Sequence, residues 1–159
     1  MANINGLTLK ALKVFRGHEG EPFAQGNVYF NGKKLGFWSQ DPWGGPDRFD
    51  FDESLLDNLV EQYKKSDKVD PKYKDIFDLS CLLYDLLQLT DDEKDYKKCV
   101  KAGFPILLIA DLFGNCKEWF ILNEAVLGKK VEEVKKSYKQ NENLKIKVYK
   151  KLSDFEITI

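Results

Sequence analysis

The chain has 159 residues, 43% of them hydrophobic, 32% charged and 13% aromatic, with a formal net charge of -1. That length suffices for one domain that buries a core without metal or disulfide staples, and the aromatic content argues against a disordered chain. Balanced charge leaves no overall field to draw the protein onto nucleic acid or a membrane.

In chain order, Leu7, Leu9 and Ala11 alternate with polar residues and predict a first strand to about Phe15. RGHEGEPFAQG then reads as a polar, glycine-rich loop. NVYFNGKKLGFW follows, and Asn31-Gly32 between two β-rich runs predicts a two-residue hairpin turn, because both turn positions need positive φ. The expected register pairs Val28 with Leu35 and Phe30 with Lys33. One face would then carry Val28, Phe30, Leu35 and Phe37, the other Tyr29, Lys34 and Trp38.

GFWSQDPWGGPDRFDFD, from Gly36 to Asp52, concentrates tryptophans, glycines, prolines and aspartates in one connector between a strand and a helix. Asp41 starts a turn before Pro42, Gly44-Gly45-Pro46-Asp47 makes a second, and Asp52 or Ser54 caps the next helix. Carboxylates at 41, 47, 50 and 52 would suit a hard cation, but the spacing fits no calcium loop, and turn and cap roles account for them. Gly44-Gly45 before a helix would suit phosphate only without the surrounding aspartates. Trp43, at the loop tip, either folds back onto the core, the expected state, or anchors a partner. The candidate binding residues are therefore Trp43, Trp38, Arg48 and Asp47.

Beyond this connector the period changes from two to about 3.6. DESLLDNLVEQYKK sets Leu55, Leu56, Leu59, Val60 and Tyr63 on one helical stripe. DPKYKDIFDLSCLLYDLLQL predicts a second, central helix. TDDEKDYKKCVKAG predicts a third, opened by a capping box from Thr90 to Glu93 and closed by Gly103. FPILLIADLF and KEWFIL form a second hairpin around Gly114-Asn115, NEAVLGKKVEEVKKSYK a helix capped by Asn123, and NLKIKVYKKL and FEITI closing strands. This order predicts a single α+β domain over residues 1–159, a mostly antiparallel sheet with helices packed on one face.

Chemistry is sparse. His18 is the only histidine, which excludes two-histidine mechanisms and most zinc sites, and no GxSxG elbow is present. Cys81, Cys99 and Cys116 lack metal-ligand spacing and read as reduced thiols of a cytoplasmic protein. MANINGLTLK lacks the basic-then-apolar order of a signal peptide, and FPILLIA and LLYDLLQL are too short to span a bilayer. Nothing calls for a cofactor or a metal. Charge is uneven: Ser39 to Tyr96 holds 16 acidic and 7 basic residues, Lys129 to Lys151 holds 9 basic and 3 acidic. The basic end is lysine-rich and alternates with apolar residues, as on the wet face of a strand, so nucleic acid is disfavoured as a partner.

The segment matched by Asn31 to Lys34, Gly36, Ser39, Asp41, Gly44, Gly45, Asp47 and Phe49, an NGKKxGxxSxDxxGGxDxF pattern, resembles the N-terminal part of small proteins of bacteria, their phages and mobile elements. The resemblance covers about the first third of the chain and carries no activity; it implies a cytoplasmic accessory protein. Two expectations follow. The favoured one is a non-enzymatic binding protein of accessory, immunity or inhibitor type, engaging another protein through the hairpin and Trp43 loop or the acidic middle. The alternative is a small hydrolase or nucleotide-processing enzyme with His18, Glu19, Asp41 and Asp47 brought together by the fold.

Overall fold

The computed structural model describes residues 1–17, 19–112 and 116–159. The fold is α+β with mostly antiparallel strands, and it divides into two compact units, Met1–Thr90 with Phe155–Ile159, and Asp91–Asp154.

The first unit is built on β1 (Asn3–Ile4), β2 (Leu7–Arg16), β3 (Pro22–Phe30), β4 (Lys33–Ser39), β5 (Arg48–Phe49) and β9 (Glu156–Ile157), ordered β5-β4-β3-β2-β1-β9. β1 and β9 run parallel; the other pairings in this sheet are antiparallel. The β3–β4 turn is the expected one, with Asn31 at φ 49° and Gly32 at φ 79°. Its register differs. Phe30 faces Lys33 and Tyr29 faces Lys34, but Val28 faces Gly36, because Leu35 is an extra residue in a bulge. That one-residue shift exchanges the faces beyond it. Trp38 now lies opposite Gly26 on the buried side with Val28, and Phe37 lies opposite Asn27 on the other.

The segment read as a loop from Arg16 to Gly26 is mostly strand, since β3 begins at Pro22 and β2 pairs with it out to Arg16. A second bulge, at Ala11 and Leu12, interrupts β2, and Ala11 takes φ 52°. Gly26 sits beneath it. A Cβ there would stand 3.0 Å from Leu12 Cδ2 and 3.1 Å from the Lys10 carbonyl oxygen.

The helical segments from Glu53 to Lys101 follow the expected stripe with one exception. Residues Glu53–Leu56 form a 3-10 turn before α1 (Asp57–Lys65). The tighter turn rotates Leu55 out to solvent, while Leu56, Leu59, Val60 and Tyr63 are buried. Pro71–Ile76 is another 3-10 turn, capped by Asp70, and the chain is extended at Phe77. Then α2 (Leu79–Lys101) runs without a break where two helices were expected. The Thr90 hydroxyl donates to the Leu86 carbonyl oxygen at 2.7 Å, a helix-interior bond, so the Thr90–Glu93 pattern is no cap. The helix ends as expected at Gly103 (φ 89°), with Phe104 N–H donating to Cys99 O and Gly103 N–H to Val100 O.

In the second unit, β6 (Ile106–Asp111) lies between β7 (Lys117–Leu122) and β8 (Lys145–Tyr149), both antiparallel to it. The β6–β7 hairpin was expected; its turn at Gly114-Asn115 falls outside the described residues. One sheet face, with Leu108, Ala110, Phe120 and Val148, packs with Leu127, Val131 and Val134 of α3 (Glu124–Ser137). Asn123 stands at the start of α3 without a side-chain capping bond. The other face holds Asp111, Lys117, Lys147 and Tyr149 in adjacent register positions. Asp92 meets them: it accepts from Lys117 Nζ at 2.9 Å, Lys147 Nζ at 3.3 Å and the Tyr149 hydroxyl at 2.9 Å. Burial, then the nearby Asp92 carboxylate, pushes the Tyr149 phenol well above its ordinary value.

Candidate contact surface

The connector after β4 is tied to its own backbone. Asp41 accepts the Trp43 N–H at 2.9 Å, and its carbonyl oxygen accepts the Gly44 N–H at 3.1 Å. Gly44 turns the chain with φ 73°, and a side chain on Gly45 would collide with the Asp41 carboxylate. Asp50 accepts the Phe37 N–H and returns its own N–H to the Phe37 carbonyl, which extends the β4–β5 pairing. Asp52 accepts from the Ser54 N–H at 3.1 Å and hydroxyl at 2.6 Å, and those two bonds hold its carboxyl below the usual value. Asp41 and Asp52 therefore have the expected turn and cap roles, whereas no turn forms over residues 44–47, where Asp47 instead accepts from the Trp38 indole, and Asp50 serves strand pairing. Among the described residues, no group of three or more His, Cys, Asp and Glu is placed to hold a metal ion.

Two tryptophans divide the work. Trp38 is fully buried, and its indole N–H donates to Asp47 at 2.7 Å, so this strand-end ring anchors the far side of the loop. Trp43 is 75% exposed at the tip, against the expectation that it folds back. The reason is local. With Asp41 holding the Trp43 N–H and Gly44 turning the chain, the side chain leaves on the outer side of the turn. Of the expected contact residues, Trp43 and Arg48 reach solvent, whereas Trp38 and Asp47 hold each other.

The end of the β2–β3 hairpin stands beside this loop. Gly17 N–H donates to Glu21 O at 2.7 Å and Arg16 Nη1 to Gly20 O at 3.1 Å. A Cβ on Gly17 would stand 3.0 Å from the Pro42 carbonyl oxygen. Phe15 and Phe23 stack at 5.3 Å between ring centroids, with Val14 and Phe15 exposed. Reading 16–26 as a loop missed this pair. Its signal was the matching order Val14-Phe15 and Phe23-Ala24, two runs able to face one another across a turn. His18 lies outside the described residues, and Glu19 is exposed. Asp41 and Asp47 direct their carboxylates to Trp43 N–H and to Trp38, respectively.

Cys81, Cys99 and Cys116 are free thiols. No helix among the described residues is long and apolar enough to cross a membrane. No family model, curated protein or solved structure matches the chain.

Proposed function

We propose that this protein acts without catalysis, as a cytoplasmic binding protein of accessory, immunity or inhibitor type from a bacterium or phage, and that it grips another protein through Trp43. The observation that carries the reading is the exposed indole on a turn whose backbone is fixed on both sides by Asp41 and by the Trp38–Asp47 bond. A rigid aromatic offered this way forms a contact at low entropic cost, and tryptophan is enriched among residues that dominate interface energies. Arg48 and the exposed Val14 and Phe15 widen the surface with charge and apolar area. Free thiols suit a reducing compartment.

The test is affinity capture from the native cytoplasm with the wild-type chain and with Trp43→Ala, each first shown to be folded. A partner retained by the wild type and lost by Trp43→Ala supports the reading. An unchanged set of captured proteins sinks it.

A further inference from the structure

The face of the larger sheet opposite its buried side carries an unusual combination of groups. Register places them in rows. Thr8, Tyr29 and Lys34 form one row, Lys10, Asn27 and Phe37 the next, and Lys13, Gln25, Ser39 and Arg48 the third. Phe15 and Phe23 close the series at the hairpin end. Lys10, Lys13, Lys34, Arg48 and Phe15 are exposed, and Tyr29, Phe37, Phe23, Asn27, Gln25 and Ser39 are half-buried, so solvent reaches every row.

Charge and rings are interleaved here. The described residues of these rows contribute four cations, and the adjoining carboxylates are those of Asp50, which accepts the Phe37 N–H, and Glu21, which stands beyond Phe23 on the same face at the hairpin end. The chain as a whole is slightly negative, at -1, so this positive face is a local feature. Lys10 Nζ lies 4.3 Å from the centroid of the Tyr29 ring, which already pairs cation with π-face. Phe37 and the Phe15–Phe23 pair are separated by two rows, about 13 Å at the usual rise of a strand. Apolar rings spaced along a sheet, with cations between them, match a chain that alternates flat rings with phosphates.

We infer that this face binds single-stranded nucleic acid, with Phe37, Tyr29 and the Phe15–Phe23 pair as stacking platforms and Lys10, Lys13, Lys34 and Arg48 as phosphate contacts. Stacking favours the single strand, because a duplex keeps its base faces covered. Neither ring nor ammonium distinguishes the sugar, so DNA and RNA bind alike. The surface shares Arg48 and Phe15 with the protein contact proposed above, but its centre differs: Trp43 belongs to the turn beyond β4 and lies in none of these rows.

The experiment is fluorescence anisotropy with labelled oligothymidylate and oligouridylate, a duplex of equal length and poly-glutamate as competitors. Both single strands are expected to bind, and the duplex to compete poorly. Four phosphate contacts predict an affinity that falls roughly fifty-fold between 50 and 200 mM salt. Lys10→Glu with Lys13→Glu, on exposed positions, should abolish binding. Phe37→Leu keeps apolar volume but removes the ring, and should weaken binding about tenfold with an unchanged circular dichroism spectrum. Absence of binding at low salt overturns the proposal. So does competition by poly-glutamate as strong as by oligothymidylate with no effect of Phe37→Leu, which would mark a site for any polyanion. Loss of binding only in Lys135→Glu with Lys136→Glu, on α3, would move the interaction to the basic end and equally overturn it.

Discussion

Trp38 and Trp43 differ only slightly in position along the chain, yet one is fully buried and the other 75% exposed. The difference predicts opposite responses to the same substitution. Trp38→Ala removes a core ring and leaves Asp47 without its donor, and should cost about 3–5 kcal/mol in urea denaturation. Trp43→Ala should cost well under 1 kcal/mol by the same measurement, yet about 2 kcal/mol or more in partner affinity. Severe destabilisation by Trp43→Ala would return that ring to the core and remove it from the contact surface. Gly32 makes a separate prediction. Its φ of 79° strains any β-branched residue, so Gly32→Val should lower stability by about 1 kcal/mol or more. Since nothing lies within 4 Å of a Cβ built there, a native-like melting temperature would deny that backbone strain governs this turn.

At the level of elements, α2 decides between two readings of the same letters. Had a helix begun at Thr90, Asp91 would occupy its first position, where proline is well tolerated. In the continuous helix Asp91 lies mid-chain, so Asp91→Pro removes an interior hydrogen bond and clashes with the preceding turn. The expected cost is about 3 kcal/mol or more, read as a fall in the urea midpoint together with lost helical circular dichroism. Wild-type stability of Asp91→Pro would show that the helix does break there. The strands make a related point. The bulge at Leu35 turns Trp38 inward and Phe37 outward, and so creates both the anchor beneath the Trp43 turn and a ring on the open sheet face.

Across the molecule, buried ionic groups set the response to pH. Tyr149 donates to Asp92, and Tyr63 donates to Asp85 at 3.2 Å. Burial first, and the neighbouring carboxylate second, pushes both phenols above the ordinary value. A raised folded-state value means that the native protein holds these protons more tightly than the unfolded chain, where tyrosine titrates near pH 10. Their stabilisation is therefore complete below about pH 10 and is lost as pH rises further. Urea midpoints should fall steadily above about pH 10, and Tyr63→Phe should flatten part of that slope. A midpoint independent of pH in this range would exclude the linkage. Asp92 itself is 1% exposed, so Asp92→Ala should cost about 3–5 kcal/mol by removing the acceptor of Lys117, whose side chain is 10% exposed, and of the buried Tyr149 hydroxyl, while Lys147 keeps Asp111 at 3.5 Å.

Local chemistry sufficed for several features. Asn31-Gly32 fixed a turn because few other pairs accept two positive φ values, Gly103 ended a helix for the same reason, and Asp41 and Asp52 bond within a few residues of themselves. The alternation of NLKIKVY and the stripe from Leu56 to Tyr63 likewise carried their own periods. Register was another matter, since a bulge adds one residue without any local signature and depends on what packs behind it, here Phe51 against Gly36. The fate of Thr90 depended on burial of Asp92 and Glu93, and Asp92 looks like a surface residue until the lysines and tyrosine of distant strands meet it. The rows of rings and lysines on the sheet also join residues far apart in sequence. Only the tertiary structure decided them, because which side chains share a face depends on strand pairing, and strand pairing is settled by long-range packing.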